Sequence, residues 1–165
     1  MNAAICFLVG AIMLCVAQLA VASPSYEISG KHFDIADEPT YRIFPDGSVD
    51  WFTAEGYAAY HRSCQGCHGP RGAGSPLAPE LVASLRSQSY LDFIDTVTNG
   101  RIGFDGAIAR VMPAFGTSPD IMCRLDALFI YLRAESAGVL ADAAPLASKV
   151  NSTEPTSELD SCLSD

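Results

Sequence analysis

The sequence predicts one small all-α domain, and three observations carry that prediction. The chain has 165 residues, 49% of them apolar and 18% charged, which suffices for one packed core and not comfortably for two domains. Apolar residues recur at helical spacing in three stretches, each opened by a capping residue or stopped near a glycine. The segments between them are rich in glycine and proline, and no internal repeat is present. The charge balance is acidic, with 10 Lys plus Arg against 19 Asp plus Glu and a formal net charge of −9. Only two lysines occur, Lys31 and Lys149. Such a chain lacks the clustered cations that nucleic-acid phosphates require, so nucleic acid is excluded as a partner. A soluble partner with a basic patch suits it better.

The elements follow in chain order. Residues 1–22 carry no charge and end on Ala20-Val21-Ala22, a small-x-small cleavage pattern. They read as a signal peptide cut after Ala22, with a retained membrane anchor as the alternative. Export implies the periplasm, an oxidising compartment, and no membrane attachment after cleavage. Residues 23–50 form an N-terminal arm with Pro24, Gly30, Pro39 and Pro45, and Asp46-Gly47 marks a turn, so an extended arm with room for a short hairpin, not a domain, is expected. The compact domain spans 51–137. Its first helix covers 53–63, with Thr53 able to cap it. Residues 69–79 hold three glycines and three prolines and read as loop. Helical periodicity returns at 80–87. Ser89 caps a helix near 90–98 that Asn99-Gly100 ends. Residues 100–117 read as loop. Ser118-Pro119-Asp120 opens the last helix, which Gly138 closes. Residues 138–165 form a small, polar, acidic tail.

One motif carries chemistry. Cys64-Gln65-Gly66-Cys67-His68 is the c-type haem attachment pattern. Two thiols add to the two vinyl groups on one porphyrin edge, and the next residue, His68, is then placed to take the iron. A zinc site would need a second paired motif, which the sequence lacks. A thioredoxin-like dithiol would need a strand before it and a helix starting at it, whereas a helix runs into this one. A disulfide between Cys64 and Cys67 would leave His68 unexplained. The cofactor is thus read as one covalently bound haem c. Beyond the signal segment only Met112 and Met122 remain as methionines. Met112 sits in a loop that can aim a thioether at iron, while Met122 lies on an apolar helical face, so Met112 is the expected sixth ligand. His32 and His61 are the alternatives. Arg101, in the loop before Met112, could bind a haem propionate or simply lie at the surface. Trp51 and Tyr90 could pack on the haem, though ordinary core packing suits both. Phe115 could line the crevice edge.

These signals together resemble the class I cytochromes c over about residues 53–137. Gly56 and Tyr60 stand eight and four residues before Cys64, like that family's small-and-aromatic pair on the first helix, and Leu128 and Tyr131 resemble its counterpart on the last. Pro79 follows His68 at about the family distance for a carbonyl that accepts the His Nδ1–H. The 44 residues from His68 to Met112 also fit. The resemblance implies helices around one covalent haem, with one-electron transfer as the function. A narrower resemblance lies in Asp50-Trp51, Tyr60-His61-Arg62-Ser63-Cys64, Cys67-His68-Gly69-Pro70, Ser89-Tyr90-Leu91-Asp92-Phe93, Asn99-Gly100-Arg101, Met112-Pro113-Ala114-Phe115-Gly116 and Met122-Cys123-Arg124-Leu125-Asp126. These strings are similar to the cytochrome c-L-like group. That group implies a periplasmic acceptor of electrons from methanol or alcohol dehydrogenases carrying pyrroloquinoline quinone, which passes them to another cytochrome c or a terminal oxidase. A monomer with no catalytic residues of its own is expected.

Two thiols remain. In an exported chain Cys123 and Cys162 most simply pair, tying the tail back to the domain, with a buried free Cys123 and an exposed Cys162 as the alternative. Two other functions stay open: a haem subunit of a different periplasmic oxidoreductase, and a haem peroxidase or gas sensor with a labile sixth ligand. No loop has the spacing of a calcium site.

Overall fold

The computed structural model describes residues 26–106, 108–141, 144–148 and 156–164, so the expected signal peptide and the expected cut after Ala22 lie outside the described residues. Helix α1 (Trp51–Ser63) and helix α5 (Leu125–Ser136) form the central crossing. Gly56 makes the crossing possible. A methyl group on its Cα would overlap the Ala127 carbonyl and sit 2.7 Å from the Tyr131 Cβ, so only a residue without a side chain lets the backbones approach so closely. Tyr60 and Tyr131 fill the space beside it, with ring centroids 5.5 Å apart and both rings fully buried. Leu128, Phe129 and Leu132 extend this core toward Leu85, Phe93 and Val97.

The N-terminal arm is folded. Strands β1 (Tyr26–Ile28), β2 (Lys31–Phe33) and β3 (Pro39–Thr40) make a small antiparallel sheet. Arg133 of α5 holds it by donating to the Pro39 carbonyl at 3.0 Å and to the Asp34 carboxylate. The Asp46-Gly47 turn is present, closed by the Gly47 N–H on the Phe44 carbonyl at 2.9 Å. Helix α1 starts two residues earlier than the sequence suggests. Its cap is Asp50, whose Oδ1 accepts from the Thr53 N–H at 3.0 Å; Thr53 is instead the third helical residue.

Helix α2 (Gln65–His68) is one turn, and helix α3 (Tyr90–Asn99) is capped by Ser89. The periodicity at 80–87 produces only a 3₁₀ turn, Ser84–Arg86, which buries Leu85. Residues 101–112, expected as loop, form an antiparallel hairpin of β4 (Arg101–Asp105) and β5 (Ile108–Met112), with Arg101 opposite Met112 and Gly103 opposite Arg110. The last helix is broken: α4 (Pro119–Met122) stops at Cys123 and α5 resumes at Leu125. The tail contains helix α6 (Thr156–Ser164) and a parallel bridge between Ala147 and Val49. A disulfide joins Cys123 to Cys162, with Cα atoms 5.8 Å apart.

Candidate haem site

The site begins where α1 runs into α2. Helix α1 carries Tyr60, whose hydroxyl donates to the Gly69 carbonyl at 2.5 Å and fixes the turn after the motif. Burial pushes the Tyr60 phenol up to about 12, so it stays a donor at any ordinary pH. Cys64 and Cys67 are both free thiols, one partly buried and one exposed. Burial, then the neighbouring Cys67, pushes the Cys64 thiol up to about 11. A dithiol oxidoreductase needs the opposite, a nucleophile whose thiolate is favoured. No group of three or more His, Cys, Asp or Glu is gathered as a metal cluster among the described residues.

His68 is 8% exposed. Its Nδ1 lies 3.0 Å from the Pro79 carbonyl oxygen. A carbonyl only accepts, so Nδ1 carries the proton and Nε2 keeps a free lone pair. That is the tautomer an imidazole needs to ligate a metal. The 69–79 loop is tied down around it. The Gly74 N–H donates to the His68 carbonyl at 2.8 Å, and the Ser75 hydroxyl donates to the Cys67 carbonyl. Cys64, Leu81, Met112, Phe115 and Met122 all pack on one apolar core with Leu85, Phe93 and Val97. An apolar wall, two free thiols at one end and an imidazole in the ligating tautomer suit a covalently attached porphyrin.

Met112 ends β5. Gly100 holds the strand pair against α3: its φ is +70°, and a Cβ there would lie 2.5 Å from the Met112 carbonyl oxygen. Beyond the methionine, the Phe115 and Gly116 N–H groups donate to the Val97 and Thr98 carbonyls, both at 3.0 Å. Met122 packs on the same core, with its sulfur 4.0 Å from the Thr98 hydroxyl. His32 is buried in the N-terminal sheet, 3.7 Å from the Glu27 carboxylate. His61 packs tilted against Tyr57, with ring centroids 3.9 Å apart, and bonds its own helix. Tyr90 contacts the Phe129 ring and donates to Asp126, and Trp51 packs edge-on against Phe52. Arg101 is exposed beside Met112.

Two residues at the site escaped sequence reasoning. Arg71 pairs with the buried Glu135 at 2.9 Å and donates to the Leu140 carbonyl, tying the motif's loop to α5. Nothing local marks it. Arg110 donates to the Pro76 carbonyl at 2.6 Å. Its i, i+2 relation to Met112 would have placed it on the methionine's face had the hairpin been read.

No helix among the described residues is long and apolar enough to cross a membrane. The profile of the family described as "Cytochrome C oxidase, cbb3-type, subunit III" matches residues 52–127. Cytochrome c-553I of Paracoccus denitrificans is 37% identical over 142 residues, which cover 86% of this chain and 63% of that protein, so the chain spans somewhat under two thirds of this relative. Cytochrome c-555 of Methylococcus capsulatus is 31% identical over 56% of this chain and 69% of its own length. The crystal structure of the c-type cytochrome XoxG from Methylobacterium extorquens AM1 superposes with a TM-score of 0.75 at 38% identity, covering 86% of both chains. The α1–α5 crossing, the attachment motif and these likenesses agree: the chain belongs to the c-type cytochromes, with the class I cytochrome c fold and covalently bound haem c.

Proposed function

We propose that this chain is a periplasmic, monomeric electron carrier that accepts single electrons from a quinoprotein methanol or alcohol dehydrogenase. It passes them to another cytochrome c or a terminal oxidase. Residues 1–22 serve as its signal peptide. Cys64 and Cys67 hold the porphyrin as thioethers. His68 would hold iron through Nε2 and Met112 through its thioether, with Arg101 available to a propionate. Bound haem supplies one-electron exchange between ferric and ferrous iron. The protein's part is to orient the ligands and keep water from them. Pro79 fixes the imidazole, while Phe115 and the Leu85, Phe93 and Val97 side chains supply apolar cover. An iron held by both His68 and Met112 would leave no open place for substrate, which disfavours a peroxidase or sensor.

The observation that carries this reading is the buried His68 imidazole, tautomer set by Pro79, beside two free thiols on a core that also receives Met112. The dehydrogenase as donor rests on the local strings shared with the cytochrome c-L-like group, and the net charge of −9 suits electrostatic steering. Stopped-flow mixing of the oxidised, haem-loaded protein with a substrate-reduced quinoprotein alcohol dehydrogenase tests it. Fast haem reduction that slows with salt is expected. No reduction, with a chemical reductant still working, would remove that donor. A second reading, a haem subunit of a larger oxidoreductase, is favoured by the name of the matching family, an oxidase subunit. Co-purification with a partner enzyme at high salt would select it.

A further inference from the structure

The two segments proposed to hold the iron are joined by a side chain that neither haem attachment nor axial ligation uses. Arg110 lies two residues before Met112 on β5, hence on the same face of the strand. Its register partner on β4 is Gly103, over which no atom lies within 4 Å of a built Cβ. The guanidinium therefore has room to reach across, and its Nη1 donates to the Pro76 carbonyl at 2.6 Å.

Pro76 belongs to the loop between His68 and Pro79, and that loop is internally braced. The Ser75 N–H donates to the Ala78 carbonyl at 2.9 Å and the Leu77 N–H to the Ser75 hydroxyl at 3.0 Å. The Ser75 hydroxyl in turn reaches the Cys67 carbonyl. A pull on Pro76 is thus resisted by the segment that also fixes the His68 imidazole.

We infer that Arg110 is a latch, a positioning residue that holds the Met112 strand against the His68 loop and so keeps Met112 on the iron. The inference rests on the proposed ligation by His68 and Met112. A ligand such as imidazole can take the sixth position only when that strand opens, so its apparent affinity scales with the open fraction. A guanidinium-to-carbonyl bond, here at an exposed site, corresponds to a change of up to about tenfold in that fraction.

The test titrates imidazole into the ferric, haem-loaded wild type, Arg110→Ala and Arg110→Gln, whose side chain is too short to reach Pro76. Arg42→Ala removes the same charge from the exposed Arg42, which packs on Phe44 in the N-terminal segment. The Met–iron charge-transfer band and the thermal midpoint are recorded for each. Both Arg110 variants should bind imidazole up to about tenfold more tightly, with the band and thermal midpoint kept in its absence. Arg42→Ala should match the wild type. Affinities of Arg110→Ala and Arg110→Gln within about twofold of wild type, or an equal rise in Arg42→Ala, would overturn the latch. A wild type without the Met–iron band would instead overturn the ligation by Met112 and the latch with it, a failure visible before any variant is made. Should Arg110→Ala fail to load haem, Arg110→Gln carries the same comparison.

Discussion

The His68 side and the Met112 side of the site are built differently. His68 is buried, braced by Pro79, and continuous through Tyr60 with the α1–α5 crossing. Met112 ends a hairpin whose outer face is open, with Phe104 75% exposed, and it is secured by close backbone packing at Gly100 and by the Phe115 and Gly116 N–H hydrogen bonds. The side that carries the thiols shares the molecule's most buried packing, whereas the other side is held by a few interactions that can open without unfolding the core. Stability and the proposed ligation by Met112 should therefore be separable in this chain.

The largest test of that separation is Gly56→Val, which drives a branched side chain into the Ala127 backbone. It is expected to cost on the order of 4–5 kcal/mol, at the upper end of single substitutions, and to lose haem incorporation with the fold. Urea unfolding and the yield of covalent haem measure it. A fully folded variant would show that the crossing does not organise the His68 side. Removing the disulfide with Cys123→Ser and Cys162→Ser loads neither side directly. The bridge closes a separation of 39 residues, for which chain entropy gives about 3–4 kcal/mol. Unfolding of the pair variant should show that loss with the ferric spectrum unchanged.

Gly100→Ala should act on the Met112 side alone. The positive φ and the close Met112 carbonyl make it costly by about 2 kcal/mol, and the Met–iron band should weaken while haem stays attached. Loss of attached haem in this variant would join the two sides again. The smallest effect is electrostatic. Burial pushes the Asp34 carboxyl up, but the Arg133 hydrogen bond and the Glu38 and Ala36 N–H groups outweigh it and leave it below the usual range. A lowered folded pKa stabilises above the unfolded value, and the gain is lost as pH falls through the folded one. Denaturation midpoints of Asp34→Asn should thus fall less steeply than wild type as pH drops below about 4, with the haem spectrum unaltered.

The His68 side was legible because its signals are local. A five-residue motif, a glycine at helical spacing and a proline at a familiar distance each act on neighbours in sequence. Helix α3 was legible for the same reason, through Ser89 and Gly100. The hairpin was not, because Gly100, Gly103 and Gly106 mark loops as readily as Asp105-Gly106 between alternating residues marks a hairpin. The hairpin allowed for in the arm is β1–β2, whereas the third strand and the tie to the domain were not legible, because the anchor, Arg133, lies about a hundred residues away on α5. The cap moved from Thr53 to Asp50 because Asp50 is buried with its carboxylate free to take both the Thr53 N–H and the Arg42 N–H. The short turn at 84–86 shows the limit of periodicity, since one buried Leu85 satisfies the pattern without a helix.

The most direct measurement is the near-infrared spectrum of the ferric, haem-loaded protein beside Met112→Ala and Met122→Ala. Ligation by Met112 predicts a Met–iron charge-transfer band in the wild type and in Met122→Ala, and its loss in Met112→Ala with the haem still covalently bound. A band that survives in Met112→Ala, or one that disappears in Met122→Ala instead, would contradict it.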